Sequence, residues 1–499
     1  MRCVKYGANT NQYRAGSIKS GGENPAGCSR VGGAHTSCEE RHAMTKMHDF
    51  DTELTEQIFE YMRQRLAMTE VPLDHPGQTH EIDQALAGMF SEDGNPASEV
   101  LQKYDEVISR TVISADSPRF LAFIPAAPTK AALLFDMIVS CASLQAISWL
   151  EAAGAVAAEN QVLQWMSDVA GLPATAGGTF VSGGSAANLA ALTVARDSAR
   201  QRLGGKVPVR IAVSEQSHSS IRNSLSILDV EPFLVKCPDH RMTGEDLRAA
   251  LLADSDPSNI VAVVATAGTT NAGIVDDLAG IAQVAQENNL WLHVDAAYGG
   301  AALLAPAMAQ TFEGISHADS ITMDPHKWWF APFDVAAIIY RNPELAKAVH
   351  SQKASYLDVL HTDGDNDWNP TDYAYHLTRR ARGLPLWFSV AVNGTAAYRK
   401  AVEESLALAQ VVADDLRSRP EFELVMEPTL SVVLWRRLGW TAKDYAVMQD
   451  VLLERQISFV TPTTWLGETV GRFAFIHPKT TTEMMREIVD VIASLPSGA

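Results

Sequence analysis

Between about residues 130 and 345, short apolar runs alternate with amphipathic stretches. The runs are Phe180-Val181, Val209 to Val213, Phe233 to Val235, Ile260 to Ala265, Leu290 to Val294, Ile321 to Met323 and Val335 to Tyr340. They are continuous rather than alternating, the pattern of strands buried on both faces. A helical stretch, Ala153 to Val169, precedes them and ends at Gly171. Strands of this kind between helices predict an α/β layer architecture with a mainly parallel sheet. Ligands of such sheets sit at strand ends.

The flanks read differently. From about 50 to 130 the spacing is helical, with Leu54, Ile58, Met62 and Leu66 on one face and Val100, Tyr104 and Ile108 on another. Pro72, Pro76, Gly77, Gly94 and Pro96 break this region into short pieces. It holds too little core for an independent domain and is expected to be an arm that packs elsewhere, against another subunit for example. Residues 350 to 376 are polar and irregular, and a loop of that length in a compact domain is functional or disordered. Beyond it Leu384 to Val412 reads as helix, Leu424 to Trp435 as strand and Tyr445 to Leu453 as helix. Ile457 to Val460 and Phe473 to Ile476 read as strands, and Glu483 to Ile492 as a closing helix. The expected division is a disordered extension over 1–46, a helical arm over 47–130, a large α/β domain over 131–389 and a small α+β domain over 390–499.

Composition narrows the partners. The formal net charge of the 499 residues is −19. Residues 1–46 carry seven Lys/Arg and three Glu, so the remainder carries −23. This balance argues against nucleic acid or an anionic membrane as a main partner. The first 46 residues have no apolar period and no signal-peptide core; Met44 or Met47 is an alternative start. No apolar run reaches the roughly 18 residues of a membrane span. Cys3, Cys28, Cys38, Cys141 and Cys237 make no disulfide framework, which fits a reducing cytoplasm. Cys28, Cys38, His35 and His42 match no standard metal spacing, so no metal is expected.

Two strand ends carry the chemistry. His293-Val-Asp-Ala-Ala-Tyr-Gly-Gly300 brings Asp295 to the end of one apolar run, and Asp324-Pro-His-Lys-Trp-Trp329 brings Lys327 to the end of another. Burying either charge costs several kcal/mol unless it is paired. One ligand satisfies both: an aldehyde for the lysine to condense with, and a basic ring nitrogen that the aspartate keeps protonated. Pyridoxal phosphate (PLP) has both groups. Taken singly, each stretch also reads as an ordinary turn. Ser182-Gly-Gly-Ser-Ala-Ala-Asn188 follows a strand and opens a helix, so its free N–H groups suit a phosphate, although alone it is equally a helix cap. Gly268-Thr-Thr270 offers hydroxyls at a further strand end, and His218, in Ser214-Glu-Gln-Ser-His-Ser-Ser220, offers a ring that can stack on a flat cofactor.

With these motifs in this order, the chain over about 50–495 resembles the PLP-dependent group II amino acid decarboxylases, which include aromatic-L-amino-acid, histidine and glutamate decarboxylases. HVDAAYGG and DPHKWW carry the resemblance; TAGTTNAG, SEQSHSS and GRFAFIHPKTT support it. It implies a fold-type I PLP enzyme that releases carbon dioxide from an L-amino acid. It also implies a homodimer with active sites at the subunit interface and N-terminal helices that embrace the partner. The resemblance makes Lys327 the lysine that carries the cofactor, with His326 before it, and Asp295 the partner of the ring nitrogen. Ala297 is then under the ring and His218 on its other face, within reach of the substrate carboxylate. Gly184 and Ser185 bind phosphate, and Thr270 lies beside the cofactor. Phe123, Ile124, Pro125 and Ala126 match the stretch lining the substrate pocket, with Trp149 nearby. Their apolar character points to an aromatic or large aliphatic substrate.

Three departures stand out. Position 324, often Asn near the phosphate, is Asp324, a carboxylate that must turn away from a dianion or leave the contact to the backbone. Ala126 lacks the hydroxyl that aromatic decarboxylases carry at its place. In the polar loop, where aromatic decarboxylases place a proton-donating tyrosine, a gapless match puts Pro370; Tyr373 and Tyr375 are the nearest tyrosines and Tyr356 a more distant one. Tyr373 is taken as the donor, with ordinary loop packing the alternative. The rival readings are another fold-type I enzyme, an aldehyde synthase or aminotransferase-like protein, and a PLP-binding relative without activity.

Overall fold

The structure is a computed structural model and describes residues 48–360 and 368–498. The extension expected to be disordered over 1–46 and the centre of the polar loop, 361–367, lie outside the described residues, as does the side chain of Tyr356. The chain divides into two compact units, Met1–Gln57 and Ile58–Ala499. Helix α1 (Thr52–Ala67) begins in the first. In the second, α2 (Thr79–Leu86) and α3 (Ala97–Lys103) contain no buried residue, as their short, proline-interrupted patterns lead one to expect.

All seven apolar runs form strands of one sheet: β1 (Gly177–Val181), β2 (Arg210–Ser214), β3 (Glu231–Val235), β4 (Ile260–Thr266), β5 (Trp291–Asp295), β6 (Ser320–Met323) and β7 (Ala336–Tyr340). Their order is β1-β7-β6-β5-β4-β2-β3. The pairs from β3 to β6 are parallel; β7 runs antiparallel to both β6 and β1. Both faces are covered, as the unbroken apolar runs require. Ala337 and Ile339 of β7 join one core with α5 (Trp149–Val169) and α9 (Leu278–Glu287), while Ala336, Ile338 and Tyr340 join another with α6 (Gly184–Arg202).

One buried ion pair ties this layer together. Arg379, 6% exposed, gives its guanidinium to Glu159 of α5 through two bonds of 2.8 and 3.1 Å. It also donates to the carbonyl oxygens of Phe180 and Ala146, and Glu159 accepts the Gly383 N–H. Phe180 lies two residues before the Ser182–Gly184 turn, so the pair braces the approach to that turn.

The C-terminal part forms a four-stranded antiparallel sheet, β10-β11-β9-β8, from β8 (Phe422–Leu424), β9 (Val432–Arg437), β10 (Thr463–Trp465) and β11 (Glu468–Ala474). Helices α12 (Thr395–Ser418), α13 (Ala442–Glu454) and α14 (Thr482–Ser494) share its apolar cluster, centred on Trp435, Tyr445 and Phe473. Three local expectations change here. The helix expected over Leu384–Val412 is two helices, α11 (Leu384–Asn393) and α12, separated by Gly394 at φ 77°. The strand expected over Leu424–Trp435 is two antiparallel strands joined through Pro428. Ile457–Val460 forms only a parallel bridge, Phe459 to Phe120.

Candidate active site

The C-terminal ends of β1, β2, β4, β5 and β6 open into one cavity of about 570 Å³. Every residue expected to hold a cofactor lies on its wall: Gly184, Ser185, His218, Thr270, Asp295, Ala297, Asp324, His326 and Lys327. The parallel topology brings them together, because consecutive parallel strands end on the same side of the sheet.

Asp295 closes β5 and is 5% exposed. Its oxygens accept the Ala297 N–H at 3.1 Å and the Asn188 side-chain amide at 3.0 Å. Asn188, in the second turn of α6, is buried and also donates to Ser220 Oγ at 3.1 Å. Ser220 Oγ lies 2.8 Å from His218 Nδ1, which also accepts the Ser220 N–H. Behind Asp295, His293 Nε2 meets Asn188 Oδ1 at 3.0 Å, and its Nδ1 meets Ser320 Oγ at 2.9 Å. Complete burial pushes the His293 imidazole down to about 4, so it is neutral at ordinary pH.

Lys327 Nζ lies 2.9 Å from Asp324 Oδ2. Asp324 is 2% exposed, and its other oxygen has no hydrogen-bond partner. The carboxylate faces Gly184, where a Cβ would lie 2.8–2.9 Å from both oxygens, so only glycine leaves this approach open. Asp324 therefore does not turn away from the cradle; its charge is matched by Lys327. His326 completes the group, and burial pushes its imidazole below the ordinary range.

The small sheet holds the remaining wall. Buried Arg472 of β11 donates to the carbonyl oxygens of Thr270 and Asn271 at 2.6 and 3.1 Å, and Thr463 Oγ1 donates to Asn271 Oδ1. Burial lowers the guanidinium to about 10. The Tyr298 hydroxyl lies 2.6 Å from Ser431 Oγ and accepts the Ser431 N–H.

PLP fits these residues. The first N–H groups of α6, at Gly184 and Ser185, have no intrahelical acceptor, and both residues line the cavity, as a phosphate site requires. An amine and a buried carboxylate stand at neighbouring strand ends. Among the described residues no group of His, Cys, Asp or Glu is arranged to hold a metal ion, and no helix is long and apolar enough to cross a membrane.

Of the other expected residues whose side chains are described, only Tyr375 reaches the wall. Tyr373 is 1% exposed and stacks on Trp368 with ring centres 4.2 Å apart. Burial raises its hydroxyl above the ordinary tyrosine range. Tyr375, 47% exposed, lines the cavity instead. Phe123, Ile124, Pro125, Ala126 and Trp149 do not line it; Phe123 is 60% exposed, at φ 51°, beside Phe120 and Phe459. Wall residues that received no individual role from the sequence include Asn188, Gln216, Ser220, Thr266, Tyr298, Phe333 and Asp334.

Comparison with known proteins agrees with this site. Residues 76–437 match the model of the pyridoxal-dependent decarboxylase conserved domain. The chain is 30% identical over 423 residues to an aromatic-L-amino-acid decarboxylase of Bacillus atrophaeus, covering 82% of this chain and 88% of the relative. It is also 30% identical over 427 residues to an L-2,4-diaminobutyrate decarboxylase of Rhizobium meliloti (strain 1021), covering 83% and 82%. Oryza sativa TDC, solved with PLP and tryptamine, has the same fold: TM-score 0.80 at 23% identity, covering 92% of this chain and 98% of that one. A lysine and a buried aspartate beyond the ends of neighbouring parallel strands, a helix N-terminus on the same cavity wall and this family match point the same way: the chain belongs to the pyridoxal-dependent decarboxylase family.

Proposed function

We propose that the protein decarboxylates an aromatic or large apolar L-amino acid to its amine. The observation that carries this reading is the convergence of Lys327, Asp295, His218 and the α6 N-terminus on one cavity. PLP, when bound, supplies an electron-withdrawing ring that accommodates the charge left at Cα when carbon dioxide departs. Lys327 anchors the cofactor aldehyde, and Asp295 holds a proton on the ring nitrogen. His218, on the cavity wall, would pack against the bound ring and meet the substrate carboxylate. Gly184 and Ser185 hold the phosphate, Thr270 and Ala297 border the ring, and His326 and Asp324 set the charge around the lysine. Tyr375, which reaches the cavity, is a better candidate than Tyr373 for the proton returned to Cα.

The substrate class rests on the wall. Among the described residues Lys327 is the only lysine or arginine there, so this wall offers a distal carboxylate no further cation. Asp334 is engaged by Arg382, which lowers its value to a distal ammonium. Tyr298, Phe333 and Tyr375 supply aromatic surface. We assign Phe123 to Ala126 and Trp149 to a pocket completed in a homodimer. The exposure of Phe123 and of Leu150 (62%) supports that placement. The proposed location is the cytoplasm.

A screen of L-amino acids with PLP, reading carbon dioxide and amine together, tests this. Turnover of tryptophan, tyrosine, phenylalanine or DOPA above that of glutamate and 2,4-diaminobutyrate is expected. Preference for 2,4-diaminobutyrate would overturn the substrate class, and a keto acid or aldehyde as main product would overturn the reaction.

A further inference from the structure

The hydrogen bonds around Asn188 can run in only one direction. Asp295, as a carboxylate, only accepts, so the Asn188 group facing Oδ2 is its NH₂. That NH₂ also donates to Ser220 Oγ, which leaves Asn188 Oδ1 as an acceptor toward His293. His293 Nε2 must then carry the proton. Its Nδ1 is bare and accepts from Ser320, whose oxygen in turn accepts the Trp291 indole N–H at 2.8 Å. On the other branch, Ser220 Oγ accepts from Asn188 and gives its own proton to His218 Nδ1. The Ser220 N–H points at the same nitrogen, so His218 carries its proton on Nε2.

We propose that Asn188 is a positioning residue of the active site, the hub that stabilises Asp295 as a carboxylate and ties it to the Nε2–H form of His218. A donor to a carboxylate favours its charged form. A charged Asp295 keeps the shared proton on the ring nitrogen rather than on itself. His293 acts behind Asn188: being buried and neutral, it holds the amide in orientation without adding a charge that would compete for Asp295. While Asp295 is charged the amide does not flip, since the reverse orientation would set Oδ1 against the carboxylate. The proposal rests on the PLP reading only in taking Asp295 as the partner of the ring nitrogen; the tautomers themselves belong to the chain.

Two measurements test it. In cofactor-free wild-type protein carrying ¹⁵N-histidine, His293 is expected as the neutral Nε2–H tautomer across pH 6–8. An Nδ1–H tautomer or a mixture overturns the chain of bonds whatever the cofactor does. In protein loaded with PLP labelled with ¹⁵N in the ring, the nitrogen is expected at the pyridinium position in the wild type. It should move toward the free-pyridine position in Asn188→Leu, as the proton passes to an Asp295 that has lost its donor. Asn188→Ser, whose hydroxyl is too short to span the bond, should shift it in the same sense if the leucine variant does not fold. His293→Gln, which can still donate to Asn188 Oδ1, should keep the wild-type position, whereas His293→Leu should move it toward the free-pyridine position. A role in packing alone would lower PLP occupancy in these variants while the bound ring kept the pyridinium signal, and that result overturns the proposal.

Discussion

Arg379 and Glu159 form a pair whose removal can be predicted in both directions. Glu159→Leu leaves a guanidinium in a buried site without its counter-charge and the Gly383 N–H without an acceptor. Breaking one side of a buried pair costs about 3–5 kcal/mol. Replacing both partners by apolar residues is commonly neutral or stabilising, because desolvation of both charges is avoided. This pair should be different. Arg379 also donates to the carbonyl oxygens of Phe180 and Ala146. In Glu159→Met/Arg379→Met those two carbonyls and the Gly383 N–H lose their side-chain partners, at about 1–3 kcal/mol for each one left unsatisfied. The double variant is therefore expected to be no more stable than the single one. Thermal unfolding followed by circular dichroism on wild type, single and double variants reads this. PLP dissociation, followed by dialysis, should be faster in both variants, because Phe180 leads into the cradle. A double variant that melts with the wild type would show that the backbone bonds contribute nothing and would refute the argument.

Further outcomes follow from the site. Tyr375→Phe is expected to release carbon dioxide but form amine slowly, with aldehyde as a side product, whereas Tyr373→Phe, buried against Trp368, should leave the product ratio unchanged; amine and aldehyde are quantified together, and the reverse pattern would assign the proton to Tyr373. Gly184→Ala is expected to weaken PLP binding about 5–150-fold, the equivalent of 1–3 kcal/mol of overpacking, because the new methyl meets the Asp324 carboxylate; equilibrium dialysis at several PLP concentrations checks it. His293 gives the protein an acid weakness. Its folded-state value, about 4, lies below the ordinary 6.5, so between these limits the unfolded chain takes up a proton that the folded one refuses. The stability this histidine contributes is complete above about 6.5 and is lost as pH falls toward 4, on the order of 3 kcal/mol at 1.36 kcal/mol per unit. The melting temperature of His293→Gln should fall less steeply over that window than that of the wild type; parallel slopes would mean His293 is not the group responsible.

The large sheet was legible because its strands are buried on both faces, so each is an unbroken apolar run such as Ile260 to Ala265. The small sheet was not. Its strand β10 has three residues and buries only Trp465, too short a pattern to stand out, and the run from Leu424 to Trp435 hides a reversal that Pro428 alone signals. The place of Asp295 was legible because a charge directly after an apolar run closes a strand; Lys327, four residues past Met323, stood out as the one lysine in the aromatic-rich turn that follows the next run. Asn188 and Ser220 were read only as parts of turn and helix-start motifs; the meaning of Asn188 comes from contacts with residues roughly a hundred positions away, and that of Ser220 from its bond to Asn188. The loop tyrosines show the same limit. No period runs through 368–376, so nothing in the sequence tells which of Tyr373 and Tyr375 faces the cavity.

The central claim is that Lys327, and no other lysine, carries the cofactor at the cavity formed by Asp295, His218 and the α6 N-terminus. Borohydride reduction of the PLP-loaded protein, followed by peptide mapping, tests it most directly. The account predicts a single pyridoxyl adduct on Lys327, absent from Lys327→Ala. Recovery of the adduct chiefly on another lysine would contradict it.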